Sequence, residues 1–267
     1  MSRRRRARQR RLAYLNFAIV ALLIAGAVVA FQLLKPPPFD EKTLCILSDQ
    51  PPPATAIILD KTDEYDDTQA GLIADLIRRT RERLDVGERL TIFELDADGQ
   101  FDPRGAFSLC NPGRGAQVNP LFRNPRMIEE RYATLFEAPM EAVLYDLVTP
   151  KEAPSSPILE AIARLGQTEN FSERVPRRRI VIVSDMLQNS TLFSAYGGAG
   201  QMPEGMPDPH KVSEDIERRF GRRLSGTEVE IRLIPRGQYT DMQRGALKDY
   251  WNTVFADLGI RADWRDL

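Results

Sequence analysis

The chain has 267 residues, with 37 Lys and Arg against 38 Asp and Glu, two cysteines and one histidine. Two cysteines and one histidine exclude a standard structural zinc site, and the near-neutral total conceals two regions of opposite sign. Seven of the arginines (Arg3, Arg4, Arg5, Arg6, Arg8, Arg10 and Arg11) precede the first apolar run, and setting them aside leaves 30 basic against 38 acidic side chains. That net negative remainder argues against general nucleic-acid binding.

Residues 12–34 contain no charged side chain, with Asn16 and Gln32 near the ends. As a helix the run is about 34 Å long, enough to cross a hydrocarbon core of roughly 30 Å. The preceding residues 1–11 form a basic tail without acidic members, which resists translocation and favours the anionic inner leaflet. The expectation is a single-pass inner-membrane protein, N-terminus in the cytoplasm and the remainder periplasmic or otherwise exocytoplasmic. Three other readings carry less weight: a cleaved signal peptide, for which the run is too long; a buried core helix, which has no place for the flanking arginines and prolines; and a nucleic-acid arm.

Residues 35–53, with Pro36-Pro37-Pro38 and Pro51-Pro52-Pro53, read as a stiff linker, and 54–267 as one α/β domain. Cys45 and Cys110 both lie beyond the span, where an oxidising compartment permits a disulfide; two buried thiols are the alternative. Within the domain, Thr55–Leu59 has the short apolar run of a buried parallel strand, and Thr68–Leu84 the period of an amphipathic helix. Arg78, Arg79, Arg81 and Arg83 fall on the face expected to be solvated. Leu90–Leu95 reads as a second strand, Asp98-Gly99 as a turn, Ala106–Cys110 as a weaker strand suited to an antiparallel edge, and Asn111–Pro125 as a loop.

Arg126–Val148 is helical by period, with Pro139 kinking or splitting it. Ser156–Leu165 starts another helix, with Pro157 at its first position. The strongest strand signal is Arg179–Ser184. Arg177, Arg178 and Arg179 read as a solvated entry to it. Phe193–Pro209 is a Gly/Pro/Met loop whose Met202 and Met206 are candidate partner contacts, and His210 beside it reads as exposed loop. Lys211–Leu224 is a polar helix, Glu228–Ile234 a strand, and Gln243–Leu258 a closing amphipathic helix, with Trp251 and Trp264 read as packing. Alternating strands and helices imply a doubly wound, Rossmann-like, mainly parallel sheet covered on both faces.

In such sheets ligands collect beyond the carboxyl ends of the strands. Asp60-Lys61-Thr62-Asp63-Glu64 follows the first strand, Ser156 opens a helix, and Ser184-Asp185-Met186 follows the strongest strand. Carboxylates and hydroxyls at these places form an oxygen donor set suited to a hard cation such as Mg²⁺. Asp60, Thr62, Glu64, Ser156 and Asp185 are the candidate ligands. Without a cation, two carboxylates so placed would repel.

These motifs resemble those of von Willebrand factor A-type domains. That family has Asp-x-Ser-x-Ser after its first strand, a helix start such as Thr-Asn-Ile-Gly-Glu-Ala-Ile, and Thr-Asp-Gly after a later strand. Asp60-x-Thr62-x-Glu64, Ser156-Pro157-Ile158-Leu159-Glu160-Ala161-Ile162 and Ser184-Asp185-Met186 stand at the corresponding places. The resemblance spans roughly residues 53 to 260 and implies a membrane-anchored binding or assembly module of an envelope complex, with a protein partner and a metal-ion-dependent adhesion site. Glu64 and Met186 depart from the family's serine and glycine, so the implied site is degenerate. The alternative is a metal-dependent phosphoesterase using Asp60 as nucleophile or ligand and Asp185 as ligand, although haloacid-dehalogenase-type phosphatases have a second Asp where this chain has Thr62. No nucleophile–histidine arrangement is legible, so a non-enzymatic role is the main expectation.

Overall fold

A computed structural model describes residues 3–34, 38–62, 65–95, 105–118, 120, 123–149 and 153–267. The chain divides into two units, Met1–Pro38 and Phe39–Leu267. In the first, α1 (Arg3–Leu34) is an unbroken helix, and its stretch Ala13–Leu33 is long and apolar enough to cross a membrane, with none of it buried against protein.

The second unit is a mixed α/β domain. Its sheet contains β1 (Ala54–Asp60), β2 (Arg89–Leu95), β3 (Phe107–Cys110), β4 (Arg178–Ser184), β5 (Glu228–Leu233) and β6 (Arg261–Asp266), in the order β3-β2-β1-β4-β5-β6. All neighbours are parallel except β2 and β3. The antiparallel edge and the doubly wound topology agree with the sequence. Every residue of β1 is buried, because helices cover both faces and both sets of alternate side chains need apolar residues. Ala56 and Ile58 join Ile180 and Ile182 in the core under α5 (Ile158–Leu165), α6 (Pro209–Phe220) and α8 (Ala246–Asp257). Ile57 and Leu59 join Val181 and Val183 in the core under α2 (Asp67–Glu82) and α4 (Ala138–Leu147), which α3 (Pro125–Tyr132) extends.

The predicted long helix is interrupted just before Pro139 by a change of helix type. α3 runs into a π-helical turn, Ala133–Glu137, and then directly into α4, whose first turn holds the proline. A π-turn is a usual way for a helix to absorb a missing donor. Near the C-terminus Gly245 separates α7 (Thr240–Arg244) from α8. The domain does not close on that helix, because β6 follows as a parallel edge strand. Arg261, Asp263, Arg265 and Asp266 give β6 no apolar period. Only Ala262 and Trp264 pack against the core, and the charges suit an edge that must not pair indiscriminately.

Several arginines expected in solvent are structural. Arg81 is 4% exposed and pairs with Glu137 at 2.7 Å and Glu141 at 3.1 Å, while Arg78 reaches Glu141 at 2.8 Å. Arg177 bonds Asp85 and Glu88, Arg178 donates to the Arg223 and Ser225 carbonyls, and Arg179 pairs with Glu230. His210 is not in a loop. It lies in the first turn of α6, after Asp208 caps the helix, and its Nδ1 is 2.7 Å from Asp257. The segment read as linker also contributes to the domain from Phe39 onward. Leu44 is in the core, and Cys45 is disulfide-bonded to Cys110 at the end of β3. Pro36, Pro37, Asp98 and Gly99 lie outside the described residues.

The disulfide closes a loop of 65 residues, for which chain entropy gives about 4 kcal/mol of stabilisation. Replacing both cysteines by serine should lower the unfolding free energy of the full chain in detergent by about that amount in a urea titration. The hydrogen bond to Asp257 holds the His210 pKa above that of a free histidine. Its charge-dependent stabilisation is therefore complete below about pH 6.5 and is lost as pH rises through the elevated folded value. The stability gap between the wild type and His210→Gln should narrow across that range in pH-dependent melts.

Candidate functional site

The strand order reverses between β1 and β4, since β2 and β3 lie to one side and β5 and β6 to the other. The crevice at their carboxyl ends is where an open α/β sheet exposes a site. Asp60 is the last residue of β1 and is 6% exposed. Its Oδ1 accepts from the Thr62 hydroxyl at 2.6 Å and the Thr62 N–H at 3.2 Å. Its Oδ2 accepts from the Ser184 hydroxyl at 2.7 Å and the Ser156 hydroxyl at 3.0 Å. One buried carboxylate thus gathers donors from the loop after β1, the entry to α5 and the end of β4. All four donors are neutral.

The local sequence explains how each donor is held. Pro157 takes the cap position of α5, so the helix starts one residue later than predicted, and proline has no side chain able to cap. Gln188 serves instead, its Oε1 accepting from Leu159 N at 3.0 Å. Ser156 and Asn189 exchange backbone hydrogen bonds at 2.8 and 2.9 Å, fixing the α5 entry to the loop after β4. The same loop is anchored by Glu160, 8% exposed, which accepts from Gln188 Nε2 at 2.7 Å and Ser190 Oγ at 2.6 Å.

Ser184 is the residue of this cluster that the sequence reading did not select. Besides donating to Asp60, its oxygen accepts from Met186 N at 2.8 Å. Met186 has φ +61°, a left-handed conformation that glycine adopts most easily. Here a methionine, not a glycine, holds that conformation. That side chain is fully buried, and the Met186 carbonyl accepts from Trp251 Nε1 at 3.0 Å. Packing and hydrogen bonding offset a conformation that costs about 1–3 kcal/mol in a non-glycine residue.

Asp185 is oriented differently from Asp60. It is 2% exposed; Oδ1 accepts from Leu187 N at 2.8 Å and Oδ2 from Arg236 Nε at 2.9 Å. Arg236 follows β5 and was invisible to motif reading because nothing near it has a periodic or motif signal. Gln243, fully buried, accepts from Arg236 N at 2.9 Å and donates to the Asp185 carbonyl at 2.7 Å. Tyr65 borders the cluster. Burial, then the negative charges of Glu94 and Asp60, raise its pKa well above a free phenol's, opposed by Arg236. Lys61 is turned to Glu94 at 3.0 Å and to the Asp146 carbonyl at 2.8 Å.

The structure therefore brings Asp60, Thr62 and Ser156 together and adds Ser184. Asp185 lies beside them but is paired to a cation of the protein's own. Glu64 lies outside the described residues. Among the described residues no three acidic, histidine or cysteine side chains converge as a metal site. Both Asp185 oxygens are engaged, one of them by a guanidinium.

The fold and this cluster define a doubly wound α/β domain with a hydroxyl-rich carboxylate centre at its switch point. No protein-family model matches the chain, and no curated protein matches it significantly. Among solved structures it is similar to an aerotolerance-related membrane protein from Bacteroides fragilis (11% identity, TM-score 0.36, covering 80% of this chain and 91% of that one). It is also similar to BatB from Bacteroides thetaiotaomicron (13% identity, TM-score 0.36, 80% and 90%) and to the minor pilin PilB from Streptococcus sanguinis (8% identity, TM-score 0.43, 83% and 58%).

Ser184→Ala removes a donor to Asp60 and the acceptor for Met186 N together. It should destabilise the domain by about 1–3 kcal/mol, read as an earlier urea midpoint in the fluorescence of Trp251.

Proposed function

We propose that this chain is a membrane-anchored, von Willebrand factor A-like binding and assembly module that engages a protein partner in the envelope through the carboxyl edge of its sheet. The observation that carries the reading is the Asp60 carboxylate, to which hydroxyls from three separate chain segments converge at the switch point of the strand order. Such a centre fixes the surrounding loops in one arrangement, which a docking surface requires. The positions of Asp60, Thr62, Ser156 and Asp185 after β1, before α5 and after β4 support the family likeness.

Two further features support the topology. The arginine-rich N-terminus favours retention in the cytoplasm, and the Cys45–Cys110 disulfide suits an oxidising compartment for the domain. The loops beside the carboxyl edge supply aromatic surface: Tyr196 packs edge-on to Tyr239 with ring centroids 5.7 Å apart, and Tyr239 donates to the Gly197 carbonyl. Aromatic side chains of this kind are enriched at protein interfaces.

A photo-reactive residue at Tyr196, beside the carboxyl edge, should give a discrete crosslinked protein in intact cells. The same residue at Val86, at the entry to β2 on the opposite edge, should not. Adducts from Val86 alone, or equal adducts from both, would reject this face as the docking surface.

A further inference from the structure

The two carboxylates of the site are treated in opposite ways. Asp60 is held by neutral donors only, whereas Asp185 receives a full positive charge from Arg236. That pair is well shielded, with side-chain exposures of 2% for Asp185 and 20% for Arg236. It is also preorganised, because the buried amide of Gln243 binds the backbone at both of its ends. Arg236 acts on the wider site too, since its charge opposes that of Asp60 at the Tyr65 phenol.

We infer that the Arg236 guanidinium is the built-in cation of this site, and that the docking surface engages its partner without a divalent ion. The inference deepens the docking reading and rests on it for its functional consequence, though its electrostatics stand on the geometry alone. Two carboxylates at adjoining strand ends repel each other and call for a positive charge beside them. A divalent ion meets that need by coordination; here a hydrogen-bonded arginine meets it from the loop after β5. Entry of Mg²⁺ at Asp185 would require Arg236 to leave, because a dication and a guanidinium on the same carboxylate repel. The chain thereby exchanges a site that responds to free cation for one that is permanently set.

The test uses the full chain in detergent, stripped with EDTA and then titrated with millimolar Mg²⁺ or Mn²⁺. The wild-type melting temperature should not move, because the Arg236 guanidinium already holds the Asp185 carboxylate. Arg236→Gln should melt roughly 5–10 °C lower, since it leaves a buried charge uncompensated. Arg236→Lys should recover most of that loss. Combining Arg236→Gln with Asp185→Asn should cost less than the two single losses added together. A wild-type rise of several degrees with either ion would overturn the inference, as would strict additivity in the double variant. In cells, the Tyr196 crosslink should survive EDTA treatment of permeabilised envelopes, and its loss there would equally reject metal independence. If Tyr196 gives no crosslink under any condition, the docking reading fails, and the melting experiments still decide the role of Arg236.

Discussion

A carboxylate can be buried at a sheet edge only if its lost hydration is replaced, and at Asp60 the replacement comes from hydroxyls on elements far apart in sequence. Ser156 and Ser184 are separated from Asp60 by 96 and 124 residues, so the hydrogen bonds can form only once β1, β4 and the start of α5 are in register. The cluster therefore reports on the whole fold as much as on its own surroundings. Each of its donors is in turn positioned by another contact. Gln188 caps α5 from outside, Asn189 pairs with Ser156, and the strained Met186 is held by Ser184 and Trp251. This is a rigid arrangement for a loop-rich edge, and rigidity of loops on a fixed scaffold is what makes such edges useful for recognition.

The opposite edge of the domain is secured by covalent and ionic means. The disulfide ties residues just after Phe39 to the antiparallel edge strand β3. Arg177 reaches Asp85 and Glu88 across the strand entries, and Glu88 also accepts from the Thr55 hydroxyl at 2.6 Å. Exposed ion pairs contribute little singly, but Glu88 is buried and links two parallel strands where they begin. One edge of the sheet is thus fastened while the other carries the polar centre.

Much of the fold was legible because burial leaves periodic traces. Ile57 to Leu59 and Ile180 to Val183 are continuous apolar runs, as both faces of a central parallel strand demand, and α2 shows its core stripe through Ile73, Leu76 and Ile77. β6 left no such trace, since an edge strand facing solvent on one side can be mostly charged. The arginines show a related limit. Arg81 looks like any solvated helical arginine until Glu137 and Glu141 arrive from a helix more than fifty residues away. For the site, Asp60, Thr62, Ser156 and Asp185 stood out because motif spacing places them at element ends. Arg236 and Gln243 did not, as their importance comes from tertiary contact with the loop after β4.

That last pair changes how the motif itself should be understood. The position of an acidic residue at a strand end does not fix its chemistry, because the charge Asp185 meets comes from a distant loop. Asp60 keeps its hydroxyl neighbours and so keeps the geometry that orders the strand ends. Asp185 keeps its place after β4, but its second oxygen is turned to Arg236. Met186 makes a related point in the backbone: it holds a left-handed turn that a glycine would adopt more easily. The shape of the site and the source of its positive charge are therefore separable properties. The first is written into hydrogen bonds around Asp60, and the second into the Asp185–Arg236 ion pair beside it.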